Sequence, residues 1–203
     1  MFERETRYLE EEDPRYRYLK EEDPRYLKEL LEYPAESKGA NYKSAVKFEK
    51  GTDFAAKLVK HILAFANSGG GCLIIGFKEQ ADRSLAPDSG ITDEIVASYE
   101  AAKLCEHVEK YLGGQDRIGI KIYKEKFARI KYPIIKITGF QEYPFFCSED
   151  YISPETGEAI LKAGRVYIRT EGARTLVAAT VKASPEWRQL ISECRKRGKE
   201  SRP

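Results

Sequence analysis

The strongest constraint on the fold lies between Phe54 and Phe77, where a helical period runs through a glycine cluster into an unbroken apolar stretch. Phe54, Leu58, Ile62 and Phe65 recur at three- and four-residue spacing, so residues 54–67 predict a helix with one apolar face. Thr52 or Asp53 can cap its start. Ser68-Gly69-Gly70-Gly71 ends it, because glycine readily takes the left-handed conformation that closes helices. Cys72-Leu73-Ile74-Ile75-Gly76-Phe77 then reads as a strand covered on both faces.

The elements downstream complete an α+β pattern with one core, a mixed sheet and packed helices. A second helix is expected over Asp93 to Leu112, and strands over 118–123 and 129–138. Pro133 interrupts the second strand, which predicts an edge position or a bulge. Arg165-Val166-Tyr167-Ile168-Arg169 reads as a short strand. Ser184-Pro185-Glu186-Trp187 opens a last helix, with a capping serine and proline at the first helical position.

Charge divides the chain. Residues 1–36 carry 12 acids and 7 bases, and the remainder carries 28 bases and 21 acids. An acidic arm (1–35) thus precedes a basic body (36–197) and a short basic tail (198–203). The arm contains a ten-residue unit twice, Arg7 to Tyr16 and Arg17 to Tyr26, with an Asp-Pro in each. Two units are too few for a solenoid. Short helical turns docking on the body or on a second subunit are expected, and a flexible acidic arm competing with nucleic acid is the alternative. A homodimer and a protein-interaction role for the arm stay open.

Several classes fall away. No stretch approaches the ~18 consecutive apolar residues of a membrane helix, and the N-terminus has no apolar run, so a cytoplasmic protein is expected. Cys72, Cys105, Cys147 and Cys194 form no C-x-x-C pair, which disfavours zinc and redox sites and predicts reduced thiols. The glycine run is not a phosphate loop: no Gly-Lys-Ser/Thr follows it, and it sits at a helix C-terminus rather than an N-terminus.

Residues 60–77 resemble the core of the Schlafen AlbA-like domain family: a helix ending in Ala64-Phe65-Ala66-Asn67-Ser68, then glycines, then an apolar strand ending in Ile75-Gly76-Phe77. Upstream, Glu36-Ser37-Lys38-Gly39-Ala40-Asn41-Tyr42-Lys43 is similar to the family's E-S-x-x-x-[ED]-[FY]-K. Downstream, Gly164 to Arg169 matches its G-x-x-Y-x-R strand. The resemblance implies an α+β domain associated with DNA binding, with relatives that cleave transfer and ribosomal RNA at a carboxylate cluster. Carried over, it implies Glu36 and Glu79 as ligands for Mg²⁺ or Mn²⁺, with Lys43 near the phosphate. Asn41 departs from the pattern, since an amide stands where the family has an acid. A shifted register would use Glu32 beside Glu36.

A nucleic-acid surface follows from charge alone. Between Arg117 and Lys136 stand seven bases and a single acid, Glu125. On a strand, Lys121 and Tyr123 share one face and Ile120 and Ile122 the other, which predicts cations beside an aromatic. Lys121, Lys124, Lys126, Arg129 and Lys131 are the expected contacts, joined by Arg169 and Arg174. Sequence-tolerant nucleic-acid binding, with RNA favoured over DNA, is the leading function. A metal-dependent endoribonuclease acting on structured RNA such as transfer RNA is the alternative.

Overall fold

The computed structural model describes residues 24–115, 117–140, 143–178 and 185–200. The repeated unit of the arm lies almost wholly outside them. The fold is α+β, built on a four-stranded sheet.

The expected helix is α2 (Asp53–Ala66), the second of the described helices. Thr52 caps it by accepting from the Ala55 amide, while Asp53 instead accepts from the Ser153 hydroxyl at 2.5 Å. The chain then turns into β2 (Gly70–Ile75), which pairs in parallel with β1 (Ala40–Lys43). Glycine is required at position 71. Its φ is 156°, and a Cβ there would meet the Phe65 ring and lie 2.7 Å from the Gly39 carbonyl. Tight packing of helix, loop and edge strand thus explains the glycine run without any anion.

Beyond β2 lie a hairpin of β3 (Phe77–Glu79) and β4 (Leu85–Pro87), then α3 (Asp93–Ser98) and α4 (Ala101–Glu109). The single helix expected over 93–112 is broken at Tyr99, whose ψ of 96° is extended. The break buries the Tyr99 ring, and its hydroxyl donates to the Val46 carbonyl at 2.6 Å. Burial of one large aromatic overrides the helical period.

β5 (Ile120–Phe127) and β6 (Ile130–Thr138) complete the sheet in the order β1-β2-β6-β5, with β6 antiparallel to both neighbours. Pro133 therefore lies in a central strand. Its place is explained by the ladder: β2 pairs with β6 only as far as Ile74 opposite Ile134, so Pro133 falls where no hydrogen bond to β2 is lost.

Both faces of the sheet are covered. Leu73, Ile75, Ile135 and Ile137 meet α2 in the larger core. Cys72, Ile74, Tyr132 and Ile134 meet α1 (Pro24–Glu32) in the smaller one. α1 falls within the expected arm, yet it buries Leu27, Leu30 and Leu31. Full burial of each is worth about 1.5–3 kcal/mol. The Tyr42 hydroxyl pins the helix further by donating to the Leu30 carbonyl at 2.8 Å. Burial, the larger cause, pushes the Tyr42 phenol up to about 12.

Two short hairpins, β7 (Tyr151–Ile152) with β8 (Ala159–Leu161) and β9 (Tyr167–Arg169) with β10 (Thr175–Val177), close over α2, and α5 (Pro185–Glu200) ends the described chain. Asn67 ties this layer down. Its amide nitrogen donates to the Phe145 and Tyr167 carbonyls at 2.7 and 2.9 Å, and its oxygen accepts from the Phe145 amide at 2.7 Å. The Ala-Asn-Ser element of the sequence motif is thus a buried cross-link.

Candidate nucleic-acid interface

β5 runs four residues past its expected end, so Lys124 and Lys126 belong to a strand and not to a loop. The rungs from Lys124 opposite Pro133 to Phe127 opposite Ile130 have no third strand, which leaves a two-stranded ribbon beyond the sheet. Alternation divides its side chains. Lys124, Lys126 and Lys131 fall on one face with Pro133. Tyr123, Glu125, Phe127, Ile130 and Tyr132 fall on the other. Tyr123 and Phe127 pack against the smaller core, and Tyr132 is buried within it. Lys121, exposed, shares a face with Tyr123 as expected, but Tyr123 is only half-exposed because it packs against the smaller core beneath α1. Lys121 stands opposite Lys136, away from the other lysines.

Phe127-Ala128-Arg129-Ile130 makes the turn. Ala128 and Arg129 have φ of 47° and 71°, as a two-residue primed hairpin turn requires. Such turns favour Asn-Gly, and an L side chain in this region costs about 1–2 kcal/mol. A signal of this kind is absent from Ala-Arg, which is why the turn was not legible in the sequence. Lys124, Lys126, Arg129 and Lys131 are all exposed, and no ion pair engages them among the described residues. The ribbon tip and α3 flank an open cleft lined by Thr92, Asp93 and Val96 on one side and Lys126, Arg129 and Lys131 on the other.

The remaining expected residues sit elsewhere. Arg174 is exposed in the turn before β10. Arg169 is 1% exposed: its Nη2 donates to the Ser37 and Ala40 carbonyls at 2.6 and 3.3 Å, its Nε to Lys38 O at 3.4 Å, and its plane lies 4.7 Å over the Phe65 ring. It holds the 37–40 turn in place of a phosphate. The turn brings Glu36 back to β1, where its Oε1 accepts from Asn41 Nδ2 at 2.5 Å and from the Tyr42 amide at 3.4 Å. Lys43 lies nearby. Burial first, then Arg169 and Lys57, hold its ammonium below the usual lysine range, against the pull of Glu36. His61 donates or accepts at Thr175 Oγ1, 3.1 Å away, and burial together with Lys43, Arg169 and Lys60 pushes its imidazole down to about 3.

Magnesium keeps several of its waters and is held through one or two carboxylates together with substrate phosphate. Among the described residues, Glu36 is the one carboxylate whose charge acts on both Lys43 and Arg169 beside it. Asn41 Oδ1, buried and without a partner, is a neutral amide oxygen. Glu79 is exposed on β3, six residues past Leu73, the strand partner of Asn41, and Glu32 is exposed at the end of α1. No group of three His, Cys, Asp or Glu suited to a metal occurs among the described residues. One carboxylate with two cations beside it does not by itself make a donor set that fits a divalent cation.

The Schlafen AlbA_2 family model matches residues 36–178, and the chain belongs to that family. Membership points to a nucleic-acid-related role. Among solved structures, the chain is similar to the DIP2311 protein of Corynebacterium diphtheriae, at 12% identity and a TM-score of 0.49 over 86% of this chain and 34% of that one. It is also similar to the N-terminal domain of a RecG-related protein from Nitrosomonas europaea, whose description relates it to ATP-dependent DNA helicases. Identity there is 17% and the TM-score 0.41, over 61% of this chain and 78% of that one. The chain thus spans about a third of the length of the Corynebacterium protein. No curated protein matches the sequence. No helix among the described residues is long and apolar enough to cross a membrane.

Proposed function

We propose that the chain is a sequence-tolerant nucleic-acid-binding module whose β5–β6 ribbon grips the phosphate backbone. The observation that carries this reading is the segregation on the ribbon. Three lysines share one exposed face, an arginine occupies the turn, and no carboxylate pairs with them among the described residues. Cations left unpaired on an exposed face raise local polyanion affinity and bring counterion release on binding. Lysine and arginine heads read phosphate, which RNA and DNA share, so the preference for RNA expected from sequence needs its own arm in the test.

Fluorescence anisotropy of labelled RNA and DNA across a salt series tests the reading. Affinity should fall steeply with salt, and Lys124→Ala/Lys126→Ala/Lys131→Ala should flatten the log–log slope by roughly 2 to 3. Absence of binding at low salt, or an unchanged slope in the triple variant, rejects it. Metal-dependent cleavage of structured RNA lacks a second carboxylate beside Glu36. Labelled transfer RNA should therefore stay intact with Mg²⁺, with Mn²⁺ and with a chelator. Cleavage that a chelator stops and Glu36→Gln abolishes would restore that alternative.

A further inference from the structure

We infer that the ribbon docks in the major groove of a B-form DNA duplex and does not track a single strand. This rests on the reading of the ribbon as the nucleic-acid contact and adds the form of the partner.

The first ground is shape. The last four rungs of β5 and β6 form a two-stranded ribbon with no third strand beside it. The major groove of B-form DNA, about 12 Å wide, admits a two-stranded ribbon, whereas the A-form major groove of RNA is deep and narrow. The second ground is what the cationic face lacks. Single strands are held by stacking unpaired bases on aromatic rings. Every aromatic of the ribbon, Tyr123, Phe127 and Tyr132, is on the opposite face and turned toward the smaller core. The lysine face offers charge and Pro133, with no ring for a base to lie on. The ribbon's one acid, Glu125, is on the far face as well, and Asp93 faces the tip only from across the cleft beside α3.

The third ground is the turn. Arg129 occupies a left-handed position at the ribbon's end, where glycine or asparagine would be less strained. A side chain that breaks the local backbone preference marks a functional position when it brings a specific group to a specific place. Here it places a guanidinium at the leading tip, and arginine is the residue that bonds guanine O6 and N7 in the major groove or bridges phosphates at its edges. Lys126 and Lys131, directly opposite each other, stand on the second rung behind it, and Lys124 follows two residues further back. Glu100 is the acid whose field reaches Lys124, but it is paired with Lys103 at 2.8 Å.

The test uses the full chain with a short DNA duplex, either of its single strands, and an RNA duplex of the same sequence. The DNA duplex should bind at least about tenfold more tightly than the other two. Four phosphate contacts give a log–log salt slope of roughly −3.6 on the duplex. Dimethyl sulfate should report protection of guanine N7, an atom that lies in the major groove. Arg129→Gly, which relieves the turn, should lose affinity and N7 protection while its thermal midpoint holds or rises. Equal or tighter binding to single strands or to RNA duplex, or no N7 protection, overturns the groove inference and leaves the ribbon as a general phosphate contact. Failure to bind any of the three rejects the underlying reading as well.

Discussion

Arg169 carries the clearest energetic consequence of this fold. Its guanidinium makes one short bond to Ser37 O at 2.6 Å and two longer ones near 3.3–3.4 Å, and it stacks on Phe65 at 4.7 Å. A hydrogen bond from a charged donor contributes about 1.5–3 kcal/mol net, and the longer pair adds less. A desolvated cation–π contact adds roughly 2 kcal/mol. Burial of the charge opposes both, and the group is only partly offset by Glu36, so burial is the main influence holding its guanidinium below the usual arginine range. Arg169→Ala also strands the Ser37 carbonyl, and the total loss should be about 4 kcal/mol. Arg169→Lys keeps the charge but has neither the fork nor the plane, and should lose about 2 kcal/mol. Urea unfolding at neutral pH measures both, with the denaturant slope checked for constancy. Arg169→Met, which fills much of the volume, keeps the comparison usable if the alanine variant does not fold. A loss below about 1 kcal/mol in both the alanine and lysine variants would show that the 37–40 turn is held by something else. Full stability with a large loss of nucleic-acid affinity would show that ligand reaches Arg169.

Two further outcomes follow from burial. His61 is kept neutral inside, so the unfolded chain binds the extra proton: its contribution is complete above pH 6.5 and is lost as pH falls from there toward about 3. Acid unfolding should steepen by at most about 1.4 kcal/mol per pH unit in that window, and His61→Gln should flatten it, leaving the smaller effect of His107, which burial also depresses. A wild-type curve as flat as the variant's between pH 6.5 and about 5 would refute the burial assignment. Leu31, 1% exposed in α1, should cost about 3 kcal/mol on Leu31→Ala, as a core leucine does. A change within about 0.5 kcal/mol would show α1 to be a peripheral attachment.

Much of the framework is legible in the chain itself. Spacing of Phe54, Leu58, Ile62 and Phe65 specifies α2, and the apolar run after the glycines specifies a strand covered twice, because period and hydrophobicity are properties of neighbouring residues. The motif at 64–68 reads as a family resemblance, and the family model bears it out. Its physical meaning is not legible: Asn67 acts by bonding Phe145 and Tyr167, which lie 78 and 100 residues away.

Sequence alone thus determined the α+β class, the order of the central elements and a basic segment at 117–136. Tertiary structure decided which of those charges face outward together. Lys124, Lys126 and Lys131 meet because β5 and β6 pair in one register, and Tyr123, on the other face by alternation, is half-covered because α1 packs there. Arg169 belongs to the same basic composition, yet three carbonyls from a turn more than 120 residues away take it out of reach of solvent. Whether a cation is a contact or a pin depends on burial, and burial is set by segments distant in the chain, which no local pattern records.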